Sequence, residues 1–245
     1  MDPRVVSIEK RLAPIGRTVA VTGGKGGIGK SLVSSALAAK LAARGAKVGL
    51  FDLDLTAPCD HLILGVDRQF PTEEFGIDPR MHHGVAFMSI SSFSGETPAP
   101  LRGDDFTNAL VELLAITRWP ELDLLLIDMP PGLSNATLDV MRWIPRAESL
   151  LVSTPSRVVV ETVRRLLGLL TEQELPILGV LENMRRNGEQ DGPSRRLAEQ
   201  AGVPFLGAAP YDPDVEAALG DPRRLVETRL AGALEAALGA RLETR

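Results

Sequence analysis

One segment constrains the fold of this chain more than any other, because an apolar strand-like run leads through a glycine-rich loop directly into a helix-like run. Residues 18–22 read TVAVT, residues 23–29 contain five glycines, and residues 31–43 are rich in alanine and leucine and end before Gly45. Glycines let backbone N–H groups converge on an anion without clashes from Cβ atoms. The segment therefore predicts a strand, a loop that holds phosphate groups, and a helix.

The rest of the chain continues this alternation of short apolar runs and longer helix-like runs. We predict further strands at 47–54, 84–90, 123–128, 149–154, 177–183 and 204–210, helices at 156–171, 193–201 and within 214–242, and loops at 66–83 and 91–101. Strands that alternate with helices form right-handed crossovers. The pattern predicts an α/β fold, a doubly wound, mostly parallel sheet with helices on both faces.

Composition narrows the classes of protein and partner. The net charge is -5 and the sequence pI is about 5.4, which disfavours wholesale binding to nucleic acid. The single cysteine, Cys59, excludes an intramolecular disulfide and a site built from several thiolates of one chain. The sequence shows neither an apolar leader nor a run of about twenty apolar residues, so we expect a cytoplasmic protein.

The glycine loop matches the phosphate-binding pattern G-x-x-x-x-G-K-[ST], and it lies between a strand and a helix as that pattern requires. Lys30 is expected at the β- and γ-phosphates of a nucleotide, and the hydroxyl of Ser31 at Mg²⁺. The N-terminus of the helix adds unsatisfied N–H groups and the positive end of its dipole. We assign nucleotide binding along the loop to Gly24, Gly26, Gly27, Ile28, Gly29, Lys30, Ser31 and Leu32.

Carboxylates follow two of the predicted strands at the edge where α/β folds bind ligands. Asp52 and Asp54 end the strand at 47–54, and Asp128 ends an apolar strand just before two prolines. We predict that Ser31, Asp52 and Asp128 form the magnesium side of the site, and that Gly132 offers its N–H to the γ-phosphate. The alternative is that each aspartate caps the helix that follows it.

The stretch KGGIGKS, residues 25–31, resembles the deviant Walker A motif of the MinD/ParA/Mrp ATPases. In that family the first lysine reaches across a nucleotide-sandwich dimer to the partner's phosphates. The resemblance implies a homodimer across the nucleotide and a role in trans for Lys25, which would neutralise charge as an arginine finger does. The alternative is a solvated loop lysine.

Within this group the chain is most similar to the Mrp-type ATP-binding iron–sulfur cluster carriers. The resemblance covers about residues 18–222 and is carried by DLDLTAP, LLLIDMPPG, LLVSTPSRVVVETVRRLLGLL, ILGVLENM and APYDPDVEAALGDP. It implies that Asp54 activates the attacking water, that Asp52 helps to hold the magnesium shell, and that Asn183 reads the adenine amino group. The residues expected to frame the base are Pro210, Tyr211 and Asp212. The guanine signature N-K-x-D is missing after Leu181, so ATP is favoured over GTP.

The chain departs from the carriers at the cluster site. Their C-x-x-C is missing from NMRRNGEQDGPSRR, the text after Leu181 and Glu182, while Cys59 stands where the family often has serine. A [4Fe–4S] cluster normally takes four thiolates, and a homodimer of this chain supplies one from each subunit. We predict that the isolated homodimer holds no stable [4Fe–4S] cluster. Cys59 itself is a candidate redox sensor, a thiolate shared across the dimer, or an ordinary half-buried residue.

We therefore expect a single P-loop ATPase domain over 1–245, with an N-terminal extension at 1–16 and a C-terminal helix at 222–245 that packs on it. The function expected is a slow, Mg²⁺-dependent, dimeric ATPase switch that assists assembly or delivery of iron–sulfur clusters or metal centres with a protein client. The alternatives are a nucleotide-gated regulator or scaffold, and a MinD/ParA-like positioning ATPase. The acidic pI and the mixed charges of the C-terminal helix argue against nucleic acid and stable membrane anchoring. The three histidines, His61, His82 and His83, are predicted on loops or the surface.

Overall fold

The computed structural model describes residues 3–55, 57–67, 76–89, 104–132, 135–144, 146–186 and 192–242. The strands are β1 (Ile15–Thr22), β2 (Val48–Asp52), β3 (Arg80–His82), β4 (Val85–Ser89), β5 (Leu122–Asp128), β6 (Glu148–Ser153), β7 (Ile177–Arg185) and β8 (Phe205–Pro210). The helices are α1 (Pro3–Leu12), α2 (Lys30–Ala43), α3 (Asp60–Leu64), α4 (Asp104–Ile116), α5 (Asn135–Trp143), α6 (Arg157–Glu172), α7 (Pro193–Gln200), α8 (Val215–Ala218), α9 (Pro222–Leu225) and α10 (Arg229–Leu242).

The eight strands found among the described residues join one sheet in the order β3-β4-β2-β5-β1-β6-β7-β8. Every neighbouring pair is parallel except β3 and β4, which run antiparallel at one edge. The register places Asp128 beside both Val21 of β1 and Asp52 of β2. The carboxyl ends of β1, β2 and β5 therefore lie side by side, and the predicted doubly wound α/β fold is confirmed.

The core lies on both faces of the central strands. Residues 124–127 of β5 are at most 2% exposed, because β1 and β2 flank this strand and helices cover the sheet. A strand covered on both faces needs a continuous apolar run, which explains the LLLI sequence at this position. Helix α2 packs its alanine-rich side against the sheet and against α10.

Some elements went unpredicted. β3 lies inside the stretch 66–83 that the sequence predicts as a loop, and the helices α1, α3, α4 and α5 are not among the predicted helices. α1 packs against α4 and buries Ile8 completely, so this part of the N-terminal extension contributes to the packed core. The predicted loop at 91–101 lies outside the described residues.

The C-terminal part of the chain forms three helices. α9 begins at Pro222, and Asp221 caps it by accepting a hydrogen bond from the N–H of Arg223. α10 packs against α2 and β8, and its apolar stripe is at most 2% exposed, comprising Leu230, Leu234, Leu238 and Leu242. None of the helices in the described part of the chain is long and apolar enough to cross a membrane.

Candidate nucleotide-binding site

The loop at residues 23–29 joins β1 to α2 and is shaped by close contacts that exclude side chains. A Cβ atom on Gly24 would lie 2.5 Å from the backbone carbon of Thr162 in α6, closer than real Cβ atoms come. Gly29 has φ 83°, the left-handed conformation that favours glycine, and is the residue from which α2 starts. Glycine at these two positions lets the loop pass α6 and turn into α2.

The two lysines of the loop lie in opposite environments. Lys30, the first residue of α2, is 6% exposed, whereas Lys25 is exposed on the loop. A lysine is rarely buried without a counter-charge. Burial raises the pKa of both Asp60 and Asp128, and the ammonium group of Lys30 opposes that rise. Lys30 thus supplies a positive charge in the interior, and Lys25 is exposed at the surface.

Asp128 connects the end of β5 to the phosphate loop. Oγ of Ser31 donates a hydrogen bond to Oδ2 of Asp128 at 2.5 Å, and Oγ of Ser34 lies 3.4 Å from Oδ1. Asp128 is fully buried, and this burial raises its pKa to about 6. The hydroxyl offered by the loop and the carboxylate at the strand end are therefore in direct contact, as a shared cation site requires.

Asp52 and Asp54 extend the carboxylate cluster along the edge of the sheet. Asp52 accepts hydrogen bonds from the N–H of Asp54 at 3.1 Å and from Oγ of Ser89 at 3.0 Å. Burial and the charge of Asp128 raise the pKa of Asp52 to about 8. Asp54 is 6% exposed, and its Oδ1 accepts from the N–H of Ala57 at 3.1 Å, so this carboxylate also holds the segment that leaves β2.

Sequence reasoning missed Asp60, which is the first residue of α3. Its side chain is fully buried and accepts a hydrogen bond from Oγ of Ser35 at 2.6 Å. One oxygen each of Asp52, Asp60 and Asp128 lies within 4.8 Å of the others. The one signal in the sequence was Ser35, the third serine of α2, which lies one helical turn after Ser31 and is buried.

The donor set at this edge fits Mg²⁺. All of the donors are oxygen atoms of carboxylates and hydroxyls, which are the ligands that Mg²⁺ prefers. The carboxyl groups lie in the interior, where a bound cation would stabilise their charged forms. Ser31, Asp52 and Asp128, the residues predicted for the metal, are brought together here with Asp60.

A cavity of about 180 Å³ lies beside the start of α2, next to the ends of β7 and β8. Its walls contain all of the residues predicted at the base, together with Leu32 of the loop helix. The full lining is Leu32, Asn183, Met184, Pro210, Tyr211, Asp212, Pro213, Val215, Glu216 and Leu230. Nδ2 of Asn183 donates a hydrogen bond to the carbonyl of Ile28 at 3.0 Å, which ties this cavity to the phosphate loop.

Two of the cavity residues have additional roles. The carboxylate of Asp212 accepts hydrogen bonds from the N–H of Leu230 at 3.1 Å and of Asp214 at 3.3 Å, so it caps the start of α10. Tyr211 is 56% exposed, and the guanidinium of Arg186 lies 5.8 Å from its ring centroid. Asp212 therefore lines the cavity and also stabilises the start of α10.

The turn after β5 places Gly132 near the loop. Gly132 has φ 87°, and a Cβ atom on Gly26 would lie 4.0 Å from Cβ of Pro131. The turn that contains Gly132 therefore approaches the loop from the side of β5. This is the position from which its N–H is expected to reach the terminal phosphate.

The cysteine and one histidine lie close to the cluster. Cys59 is half-buried at the start of α3, and burial raises its thiol pKa to about 11, so the thiol is protonated at neutral pH. The prediction of a loop or surface position for His61 is wrong. His61 is 3% exposed, because α3 turns its side chain inward. His82 lies in β3 rather than a loop, and Nε2 lies 2.9 Å from the carbonyl of Leu64.

The chain matches a family of known P-loop proteins along nearly its whole length. The family described as ParA: NUBPL iron-transfer P-loop NTPase matches residues 14–238. An iron–sulfur cluster carrier protein of Escherichia coli (strain K12) is 36% identical over 205 residues, which cover 78% of this chain and 56% of that protein. A cytosolic Fe-S cluster assembly factor NUBP2 homolog of Monosiga brevicollis is 36% identical over 225 residues, 84% of this chain and 79% of its own length.

The chain spans little more than half the length of the bacterial carrier. Among solved structures, a nucleotide-binding protein of Archaeoglobus fulgidus in complex with ADP, in which cobalt was found, is 29% identical with a TM-score of 0.73. The match covers 91% of this chain and 93% of that one. These matches confirm the resemblance to the Mrp-type carriers of the MinD/ParA group.

Proposed function

Since this chain belongs to the NUBPL iron-transfer P-loop NTPase family of the ParA group, we propose that it is a dimeric ATP-hydrolysing switch that assists the assembly or delivery of iron–sulfur clusters or metal centres. The observation that carries the proposal is the hydrogen bond of 2.5 Å from Oγ of Ser31 to Oδ2 of Asp128. This bond joins the residue that follows the buried Lys30 to the end of β5. A phosphate loop, a buried lysine and a carboxylate cluster meet at one edge of the sheet.

ATP fits this edge in one orientation. Its phosphates lie at the N-terminus of α2, where N–H groups and the helix dipole favour anions. Its base lies in the cavity of about 180 Å³ beside Leu32 and Asn183. The amide nitrogen of Asn183 is bound to the carbonyl of Ile28, so the carbonyl oxygen of Asn183 is the atom to face the base. That oxygen accepts from the amino group of adenine and would repel the carbonyl oxygen of guanine.

Hydrolysis follows from the residues around the phosphates. Mg²⁺, when bound, neutralises charge on the β- and γ-phosphates. Ser31 and Asp128 hold the magnesium side, and Lys30 stabilises negative charge from within the same subunit. Asp54, at the exit of β2, orients the attacking water. Lys25, exposed on the loop, reaches the phosphates bound to the other subunit and stabilises the transition state across the dimer.

The metal cargo is handled with a partner. Each subunit contributes one cysteine, Cys59, and a [4Fe–4S] cluster normally takes four thiolates. The half-buried position of Cys59 keeps its thiol protonated, which does not favour metal ligation. We propose that the homodimer does not retain a cluster by itself, and that a client or partner protein in the cytoplasm supplies the remaining ligands. The name of the Monosiga relative, a cytosolic assembly factor, supports this setting.

The second candidate function is a nucleotide-gated scaffold that does not hydrolyse ATP. A measurement of ATP hydrolysis distinguishes this scaffold from the ATP-hydrolysing switch. We expect Mg²⁺-dependent release of phosphate by the wild type and its loss in Lys30→Ala. Lys47→Ala is the matched control, because Lys47 is exposed at the start of β2, at the other end of the sheet. Tight ATP binding without any turnover, in the presence or absence of a client protein, would support the scaffold instead.

A further inference from the structure

Asp60 carries an unsatisfied buried oxygen at the centre of the carboxylate cluster. The side chain is 0% exposed, and Ser35 donates to Oδ1. Among the residues that the structure describes, Oδ2 of Asp60 has no hydrogen-bond partner. A buried carboxylate oxygen without a donor or a cation destabilises the fold. This atom is therefore available to a cation bound between the carboxyl groups.

The charges around Asp60 identify the kind of partner. Oxygens of Asp52, Asp60 and Asp128 converge within 4.8 Å, and all three side chains are fully buried. Lys30 acts electrostatically on both Asp60 and Asp128. Serine hydroxyls hold each carboxylate in place from one side, as with Ser35 on Asp60. A small divalent cation that prefers oxygen ligands fits this convergence of carboxyl groups.

We propose that Asp52, Asp60 and Asp128 form a site that binds Mg²⁺ or Mn²⁺ in the absence of nucleotide. Carboxylate oxygens favour these hard cations over metals that prefer sulfur. The cation would connect α3, which begins at Asp60, to the ends of β2 and β5. The protein would then be loaded with its cation before ATP arrives and would keep it after the nucleotide leaves.

This proposal shares Asp52 and Asp128 with the proposed ATPase site, and it differs from that site through Asp60. In the ATPase proposal Ser31 and Asp128 hold the cation together with the phosphates. Here a third carboxylate, delivered by α3, holds the cation without phosphates. The test uses no nucleotide, so its failure and a failure of ATP hydrolysis are separate results.

The experiment is a titration of chelator-treated, nucleotide-free protein with Mn²⁺, followed by the electron paramagnetic resonance signal of free Mn²⁺. We expect the wild type to remove Mn²⁺ from solution and Mg²⁺ to compete. Asp60→Asn, which keeps the shape and the acceptor for Ser35, should weaken Mn²⁺ binding about tenfold or more. Asp105→Asn, an exposed aspartate on α4, should leave binding unchanged.

Binding that appears only when ATP is added, or equal binding by wild type and Asp60→Asn, would overturn the proposal. If Asp60→Asn does not fold, thermal unfolding of the wild type with and without Mn²⁺ tests the site instead. Mn²⁺ without nucleotide should raise Tm, and Na⁺ at the same ionic strength should not. No rise in Tm with Mn²⁺ would contradict the site. Cys59→Ser should bind Mn²⁺ as the wild type does, and a loss there would indicate a thiol-containing site instead.

Discussion

Oγ of Ser31 donates a 2.5 Å hydrogen bond to Oδ2 of Asp128, which joins the first turn of α2 to the end of β5. These residues are 97 positions apart in the chain, and the parallel pairing of β1 with β5 brings them together. The phosphate loop and the carboxylate cluster are therefore directly connected, and a displacement of one would move the other.

We expect Asp128→Asn to keep the fold and to lose ATP turnover. Removing the charge weakens the hold on the cation and on Ser31, and losses of about 10- to 100-fold are typical for groups that orient metal ligands. Phosphate release at saturating ATP and Mg²⁺ measures the effect. Asp123→Asn is the control, since it lies on the same strand at the opposite end of the sheet. An Asp128→Asn rate equal to that of the control would contradict the assignment.

Gly24→Ala should destabilise the protein and impair nucleotide binding. Its Cβ atom would lie 2.5 Å from the backbone of Thr162, so the loop or α6 must shift, at about 1–3 kcal/mol. Gly168→Ala, on the helix α6 that contains Thr162, is the control variant. It has open space around the new Cβ atom and should be neutral or stabilise by up to about 1 kcal/mol. Urea unfolding compares the free energies of unfolding of the two variants with that of the wild type. An unchanged free energy for Gly24→Ala would show that the loop has room for the added methyl group.

Asp212→Ala should reduce the free energy of unfolding by about 1 kcal/mol at neutral pH, because its carboxylate caps the start of α10. Burial raises the pKa of Asp212, but hydrogen bonds from the N–H groups of Leu230 and Asp214 and from Arg229 outweigh it, so the net pKa is lowered. Asp214→Ala, an exposed neighbour, is the control and should change little.

The sign of that shift fixes the pH dependence. A carboxylate with a lowered folded-state pKa stabilises the fold fully above its unfolded pKa, about 3.9, and the contribution is lost as the pH falls through the lower folded value. Unfolding free energies of the wild type and of Asp212→Ala should therefore differ at pH 6 and converge in acid. A difference that stays constant through the acid range would show that Asp212 acts without its charge.

Anaerobic reconstitution with iron and sulfide tests the cargo proposal. We expect the purified homodimer to retain little iron, because Cys59 is one thiol per subunit and the thiol is protonated. Cys59→Ser should behave like the wild type, with ATP turnover intact in both. About four irons per dimer, with an absorbance that disappears in Cys59→Ser, would make Cys59 a cluster ligand.

The sequence predicted the parts of the site that are local in the chain. The loop residues from Gly24 to Ser31 and the strand end at Asp128 follow from one motif and from apolar runs that leave few choices of fold. The pairing of Asp52 with Asp128 follows from the rule that parallel strands share a carboxyl edge. These predictions needed no long-range contact beyond the strand order.

Asp60 could not be predicted in the same way. Its importance depends on how α3 folds back on α2 to meet Ser35, and five-residue helices carry weak sequence signals. The role of the Asp212 side chain was also hidden, since it depends on a hydrogen bond with Leu230 in the first turn of α10, eighteen residues further along the chain. Contacts of this kind arise from tertiary packing, which propensity and spacing do not encode.

In the proposed dimer, Lys25 of one subunit acts on ATP bound by the other. Lys25→Ala and Asp54→Ala should each abolish turnover alone. In a mixed dimer, one of the two sites combines an intact Asp54 with an intact Lys25 from the partner subunit, and the other site has neither. ATP binding by Asp54→Ala should persist, since water positioning acts mainly in the transition state.

Phosphate release by an equimolar mixture of Lys25→Ala and Asp54→Ala subunits tests this claim most directly. With random pairing, half of the dimers are mixed and carry one working site each, so the account predicts recovery to about a quarter of the wild-type rate. Lys25→Ala mixed with Lys25→Ala/Asp54→Ala subunits should stay inactive. A first mixture that is no more active than either variant alone, although size measurements show dimers in ATP, would contradict it.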